Sequence, residues 1–173
     1  IFEACQAGMV EVGERFQKGE YFVSDLMMAG AIFKSISDLV SPRIEVSESD
    51  KAGKVVIGTV EGDIHDIGKD LVVAMLKAAN FDIIDVGVDA KPEAFVDALK
   101  ESGAKVLALS CLLTTCYDSI KATVSAVESA GMRDKVKIAI GGGPVDQGVV
   151  EYTGADVYGK DAHDAVTICK ELI

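Results

Sequence analysis

The chain has 173 residues, with 17 Lys and Arg against 28 Asp and Glu, a formal charge of −11. Its length suits one ordinary domain with a short appendage, and 49% hydrophobic residues with 26% charged is a globular composition able to bury a core. The negative surplus argues against nucleic acid, which requires a basic footprint, and against an anionic membrane surface. No apolar run reaches the roughly 18 residues of a membrane span. The four cysteines, Cys5, Cys111, Cys116 and Cys169, form no C-x-x-C pair, so a reduced, cytoplasmic setting is expected. The chain opens at Ile1-Phe2-Glu3 without an initiator Met and inside a helical pattern, which reads as a trimmed N-terminus.

Residues 1 to about 40 have helical spacing throughout: Val10, Val12 and Phe16, then Phe22, Leu26, Met27, Ile32, Phe33, Ile36 and Leu39. Gln17-Lys18-Gly19-Glu20 divides them into two helices, the second opening near Ser24. Two helices cannot enclose a core, so the pair must pack on something else, as half of a helical bundle would. Ser41-Pro42-Arg43 stops the second helix, and Glu45 to Gly53 is a polar linker. This predicts a helical cap over residues 1–48 and an α/β domain over 49–173.

From Lys54 the pattern becomes strand, loop, helix, repeated. Val55 to Val60 is a continuous apolar run, as in a parallel strand buried on both faces, and a helix from Ile67 to Ala79 follows. Next come a strand at Phe81–Val86, a helix from Pro92, a strand at Lys105–Ser110 and a helix from Tyr117 to Ala130. A strand at Val136–Gly141, a short helix, a weak strand at Asp156-Val157-Tyr158 and a last helix from Asp161 complete the chain. Such alternation predicts a flavodoxin-like (Rossmann-like) α/β fold with a five-stranded parallel sheet. Ligands of that fold bind where the strand order reverses, which for the order 2-1-3-4-5 lies between strands one and three. Three loops converge there: Glu61 to Gly68, Ser110 to Cys116, and Gly141-Gly142-Gly143-Pro144.

A receiver-type phosphorylation site would need an Asp at the end of the third strand, where this chain has Ser110. A dinucleotide site would need G-x-G-x-x-G, which Gly62 and Gly68 do not make. A lone loop histidine is more often a solvated polar residue than a ligand. Asp63-x-His65, however, puts a carboxylate and an imidazole on one side of an extended loop. Asp63 accepting the Nδ1 proton leaves Nε2 free for a metal. With no second ligand at zinc-like spacing, that metal must arrive already held in a macrocycle.

Asp63-x-His65-x-x-Gly68, then 41 residues, Ser110-x-Leu112, then 28 residues and Gly141-Gly142 resembles the signature of cobalamin-binding domains. Val12-Gly13-Glu14-Arg15-Phe16 with Gly19-Glu20-Tyr21-Phe22 is similar to the helical cap of methyl-transferring corrinoid proteins and of cobalamin-dependent methionine synthase. The resemblance implies a corrinoid methyl carrier, a non-catalytic subunit that binds cobalamin (methylcobalamin or a related corrinoid) base-off. His65 is then the axial cobalt ligand, with Asp63 its partner and Ile64, Asp66 and Ile67 beside it. Gly68 opens space for the nucleotide tail, which threads between strands one and three. Ser110 and Thr114 hydrogen-bond that tail, Leu112 packs it, and Gly141, Gly142 and Gly143 line the buried benzimidazole. Phe16, Val23 and Leu26 cover the upper face, and Asp161 and Ala162 touch the corrin edge.

The implied partners are a substrate-specific methyltransferase, an acceptor methyltransferase working on folate or a thiol, and a reductive activator. Methylamines, methanol, methoxyaromatics and betaines are all open as methyl donors. A cobalamin-sensing regulator and the small subunit of an adenosylcobalamin mutase are the alternatives; the second normally lacks the cap, and the first needs a DNA-binding region. Cys116 departs from the methionine synthase pattern, which has Ser there to complete a relay through Asp63 and His65; its plainer reading is a buried filler. His163 reads as a helix-end residue, and Met27 and Met28 as core.

Overall fold

The computed structural model describes residues 2–40 and 51–173. The predicted stop at Ser41-Pro42-Arg43, most of the linker and the boundary at residue 48 lie outside them. Helices α1 (Phe2–Gln17) and α2 (Val23–Val40) come first. Asp25, in the first turn of α2, accepts a hydrogen bond from the Phe22 backbone N–H at 2.9 Å, the carboxylate half of a capping box.

Five β-α units follow: β1 (Gly53–Thr59), α3 (Ile67–Ala78), β2 (Phe81–Asp85), α4 (Pro92–Ser102), β3 (Val106–Ser110), α5 (Tyr117–Ser129), β4 (Lys137–Gly141), α6 (Gln147–Thr153), β5 (Val157–Gly159) and α7 (Ala162–Leu172). A 3-10 turn, Thr114–Cys116, leads into α5. The strands pair in parallel in the order β2-β1-β3-β4-β5, as expected, so the switch point is between β1 and β3. The weak last strand begins one residue later than its sequence pattern indicated.

Alternate strand residues feed two cores. Val56, Leu107, Leu109, Ile138 and Ile140 meet Phe95, Leu99 and Ile120 on one face. Val55 and Val106 meet Leu76 and Cys169 on the other. Met9, Leu26 and Phe33 of the two N-terminal helices join this second core, and α1 packs on α3 and α7 while α2 packs on α3. The helical pair thus buries its apolar stripe against the outside of the α/β layer, which is where the sequence required it to find a partner.

On the α3–α7 face the strand side chains shrink toward the carboxyl ends: Val106, Ala108, Ser110 along β3, and Lys137, Ala139, Gly141 along β4. Bulk is replaced by space at that end of the sheet, and the site forms there.

Candidate functional site

The loop after β1 has no regular structure, yet backbone groups of Val60, Gly62, Asp63, His65 and Asp66 are all hydrogen-bonded. The Asp63 N–H donates to Val60 O at 3.1 Å, and the His65 carbonyl accepts from Thr59 Oγ1 at 3.0 Å. Thr59 is fully buried at the last position of β1, so a strand residue sets the height of the His65 peptide.

Asp63 is the hub. Its side chain is fully buried, and Oδ1 accepts from the His65 backbone N–H at 3.0 Å and lies 2.6 Å from His65 Nδ1. Oδ2 accepts from the Leu112 and Leu113 N–H groups at 2.6 and 3.1 Å. Burial pushes this carboxyl up, but the hydrogen bonds from His65, Leu112 and Leu113 outweigh it and hold the pKa at about 2. Asp63 is therefore a carboxylate, an acceptor only, and Nδ1 of His65 must carry the proton. The lone pair is then on Nε2, in a ring whose side chain is half exposed.

Behind the loop a cavity of about 290 Å³ runs across the carboxyl ends of β3, β4 and β5 beneath α3 and α7. Ala108, Ser110, Ala139, Gly141 and Gly159 floor it, Gly68, Leu71 and Val72 form one wall, and Ala165 and Ile168 the other. Phe16, Val23 and Leu26 close it from the helical pair. The cavity reaches past β3 to β5, farther than a slot between β1 and β3 alone.

Of the residues singled out in the sequence, Phe16, Val23, Leu26, Gly68, Ser110, Gly141, Gly142, Gly143, Asp161 and Ala162 line this cavity. Asp63, Ile64, His65, Asp66, Ile67, Leu112 and Thr114 do not. Ile64, Ile67 and Leu112 instead present exposed apolar surface beside the histidine loop, and Asp66 and Ile67 border a second cleft between α2 and α3. Thr114 opens the 3-10 turn on the surface. Cys116 is buried, with Sγ 3.9 Å from Thr115 Oγ1, and both oxygens of Asp63 are engaged by other groups. His163 packs against Gly13, bringing α7 onto α1, and Asp161 caps α7 by accepting from Asp164 N at 2.8 Å. Met27 and Met28 are exposed rather than core.

Sequence reasoning passed over the small floor residues Ala108, Ala139 and Gly159, although the i, i+2 pairs Ala108-Ser110 and Ala139-Gly141 are visible in the chain. It also passed over Lys69. This side chain is buried at the start of α3, with Nζ 2.7 Å from Asp70 Oδ1 and 2.5 Å from Asp85 Oδ2, joining α3 to the end of β2. Burial disfavours its charge, but the hydrogen bonds to Asp70 and Asp85 prevail and raise its pKa. Asp85 and Asp70 reach water whereas Lys69 does not. Asp85→Ala, which weakens the hold on a buried cation, is thus expected to cost about 2 kcal/mol, and Lys69→Met about 1 kcal/mol or less. Urea unfolding of the two variants gives the order; a costlier Lys69→Met refutes it.

Against known proteins, residues 53–167 match the B12 binding domain family, and residues 1–40 match a second B12 binding domain family. The trimethylamine corrinoid protein of Methanosarcina barkeri is 42% identical over 175 residues, covering 100% of this chain and 81% of that protein. A cobalamin-binding protein from Desulfitobacterium hafniense DCB-2 superposes with TM-score 0.81 at 40% identity, over 99% of this chain and 81% of that one. A chain of the methanol:cobalamin methyltransferase complex of Methanosarcina barkeri superposes with TM-score 0.85 at 29% identity, over 97% of this chain and 64% of that one. This chain belongs to the B12-binding corrinoid proteins of methyltransferase systems, and its cofactor is cobalamin or a related corrinoid.

The residues present fit such a group. The cavity is floored by residues with little or no side chain at the switch-point end of the sheet, which admits a flat base and its linker. The one imidazole in the loop has its Nδ1 occupied and Nε2 available. Among the described residues no three His, Cys, Asp or Glu side chains gather to hold a bare metal ion, so one nitrogen suits a metal that brings its own equatorial ligands. Among the described residues no helix is long and apolar enough to cross a membrane.

Proposed function

We propose that this chain is the methyl carrier of a corrinoid-dependent methyltransferase system and binds its cofactor base-off, with His65 as the lower axial ligand. The observation that carries the reading is the 2.6 Å contact between Asp63 Oδ1 and His65 Nδ1, which fixes the tautomer able to ligate. Bound here, the corrinoid supplies the cobalt centre that accepts and gives up the methyl group.

The protein's part is to hold and shield. Asp63 keeps His65 oriented and basic. The cavity over β3 to β5 takes the nucleotide tail, with Ser110 as its polar contact and Gly68, Gly141 and Gly143 leaving room. Phe16, Val23 and Leu26, on the helical pair, cover the cavity and exclude water, and partners reach the cofactor by displacing that cover. Residues 1–48 then act as cap and 49–173 as the binding unit, a division supported by the two separate family matches. Relatives named as dimethylamine and trimethylamine corrinoid proteins make a methylated amine the first donor to test, delivered by a substrate-specific methyltransferase. An acceptor methyltransferase and a reductive activator complete the scheme.

His65→Ala is the test. Hydroxocobalamin titrated into wild-type protein is expected to give a nitrogen-ligated, base-off spectrum, and the variant to lose it with an affinity drop of about tenfold or more. An unchanged spectrum and affinity would remove His65 as the ligand.

A further inference from the structure

Asp89 lies outside the D-x-H-x-x-G, S-x-L and G-G elements, 27 residues from the loop it touches. It follows β2, where the chain runs alongside the end of β1: the Thr59 N–H donates to Gly87 O at 2.9 Å and the Ala90 N–H to Thr59 O at 3.0 Å. Val60 and Ala90 pair beyond the ends of the strands. Between these anchors Asp89 adopts a φ of +50°, a left-handed conformation that few non-glycine residues take and that Asp and Asn tolerate best. A residue held in that region is kept there by its surroundings.

In this conformation Asp89 faces the histidine loop with two groups at once. Its side-chain Oδ1 accepts from the Gly62 N–H at 2.8 Å, and its own N–H donates to Asp63 O at 2.9 Å. The two bonds grip the Glu61–Gly62 and Asp63–Ile64 peptides, one on each side of the Gly62-Asp63 pair, and Gly62 has a φ of +87° and is itself in a turn. Immediately beyond that grip the Asp63 side chain takes hold of His65. Thr59 holds the far side of the loop, at the His65 carbonyl. The loop is therefore held at three places: the strand-end hydroxyl of Thr59 at the His65 carbonyl, the Leu112 and Leu113 N–H groups at the Asp63 side chain, and the Asp89 clamp, which fixes the backbone on both sides of the Gly62-Asp63 pair.

We infer that Asp89 is a positioning residue for the axial ligand, setting through Gly62 and Asp63 the place from which His65 reaches the cobalt. The inference rests on the reading of His65 as ligand. Asp89 itself touches neither the imidazole nor the cavity lining.

Substitutions separate its side-chain and backbone parts. Asp89→Asn keeps an acceptor oxygen and the left-handed preference, whereas Asp89→Gly keeps the backbone and removes the acceptor. The protein is labelled with nitrogen-15 and loaded with unlabelled cob(II)alamin, and its electron paramagnetic resonance is recorded. A protein nitrogen on cobalt splits the lines in two, and the cofactor's own base splits them in three. Wild type and Asp89→Asn are expected to show the two-line pattern. Asp89→Gly is expected to bind roughly 10- to 100-fold more weakly, the loss typical of groups that orient a metal ligand, with the two-line fraction reduced. Thermal unfolding without corrinoid identifies any general loss of fold, and an Asp89→Gly variant that melts like wild type yet loses the two-line signal supports the clamp. Undiminished two-line signal and affinity in Asp89→Gly overturn it. His65→Ala run in parallel keeps the two readings apart: if it retains the two-line pattern the ligand reading fails, and if it alone loses the pattern only the clamp fails.

Discussion

Gly142→Ala is expected to abolish folding or cost more than about 4 kcal/mol, before any cofactor is added. A Cβ built on Gly142 falls 1.8 Å from the Cys111 carbonyl oxygen and 2.7 Å from its carbon, and both belong to backbone that cannot swing aside. Its φ of +140° adds strain for any L side chain. The loops after β3 and β4 cross here at glycine distance, just beyond the Ser110–Gly141 pairing that ends the ladder.

The neighbouring glycines predict the opposite behaviour. A Cβ on Gly141 would meet Gly159 O at an ordinary 3.6 Å, and one on Gly68 would meet nothing within 4 Å. Both residues line the cavity. Gly141→Ala should leave the corrinoid-free protein stable to within about 1 kcal/mol, and Gly68→Ala should stabilise α3 by about 0.5–1 kcal/mol. Both should lower hydroxocobalamin uptake. Urea melts without cofactor followed by titration with it make the comparison, and a Gly142→Ala variant that melts like wild type would be evidence against the backbone contact. The resemblance implies that Gly141, Gly142 and Gly143 line the benzimidazole; Gly142 lines the cavity, and its Cβ position is in addition blocked by the protein's own chain.

Asp63→Ala is the second large effect, an expected loss of about 3 kcal/mol or more together with axial ligation. The substitution strands the Leu112, Leu113 and His65 N–H groups and the imidazole Nδ1–H, all of which end on this carboxylate. Asp63→Asn divides the two consequences. Its amide oxygen can still accept from Leu112 and Leu113, so stability should fall by only about 1–2 kcal/mol. Its amide nitrogen, a donor, would face Nδ1 and turn that atom into an acceptor. The proton then moves to Nε2 and the ligand lone pair is lost, so the nitrogen-ligated spectrum should disappear from a folded protein.

Acid gives an independent reading of the same group. With a folded pKa of about 2 against an ordinary 3.8, the stability that Asp63 contributes is complete above about pH 4 and lost as pH falls through 2. The difference is on the order of 2 kcal/mol at 1.36 kcal/mol per unit. Wild type should lose that much more than Asp63→Asn between pH 4 and 2 in urea melts, and parallel curves would contradict the charge assignment.

The alternation of strand and helix could be read from the chain because it rests on patterns that repeat within a few residues, and the strand order and switch point followed from the fold class that alternation implies. Val55 to Val60 is apolar at every position because both faces of a central parallel strand are covered. The Asp63–His65 contact was equally legible, since a two-residue spacing in extended chain puts both side chains on one side. Less was visible of the cavity. Small residues at positions 108, 139, 159 and 165 are each unremarkable, and only their convergence under α3 and α7 makes a void. Nothing in the local sequence distinguishes Lys69 from the other lysines, yet packing buries it against two carboxylates.

The charge of −11 argues against nucleic acid and anionic membrane as partners, and of the chain's two histidines the placement of Asp63 two residues before His65 marks that one as the ligand candidate. Fold class and tautomer partner were legible in such local spacing, the switch point followed from the fold class, and the cofactor class came from the resemblance to cobalamin-binding domains that residues 63–68, 110–112 and 141–142 carry. Tertiary structure alone decided that Oδ2 of Asp63 belongs to residues 112 and 113, that Asp89 grips Gly62 and Asp63, and that the helical pair shares a core with α3 and α7. Those contacts join segments tens of residues apart, and which groups meet depends on strand register and helix packing, quantities that no short-range periodicity encodes.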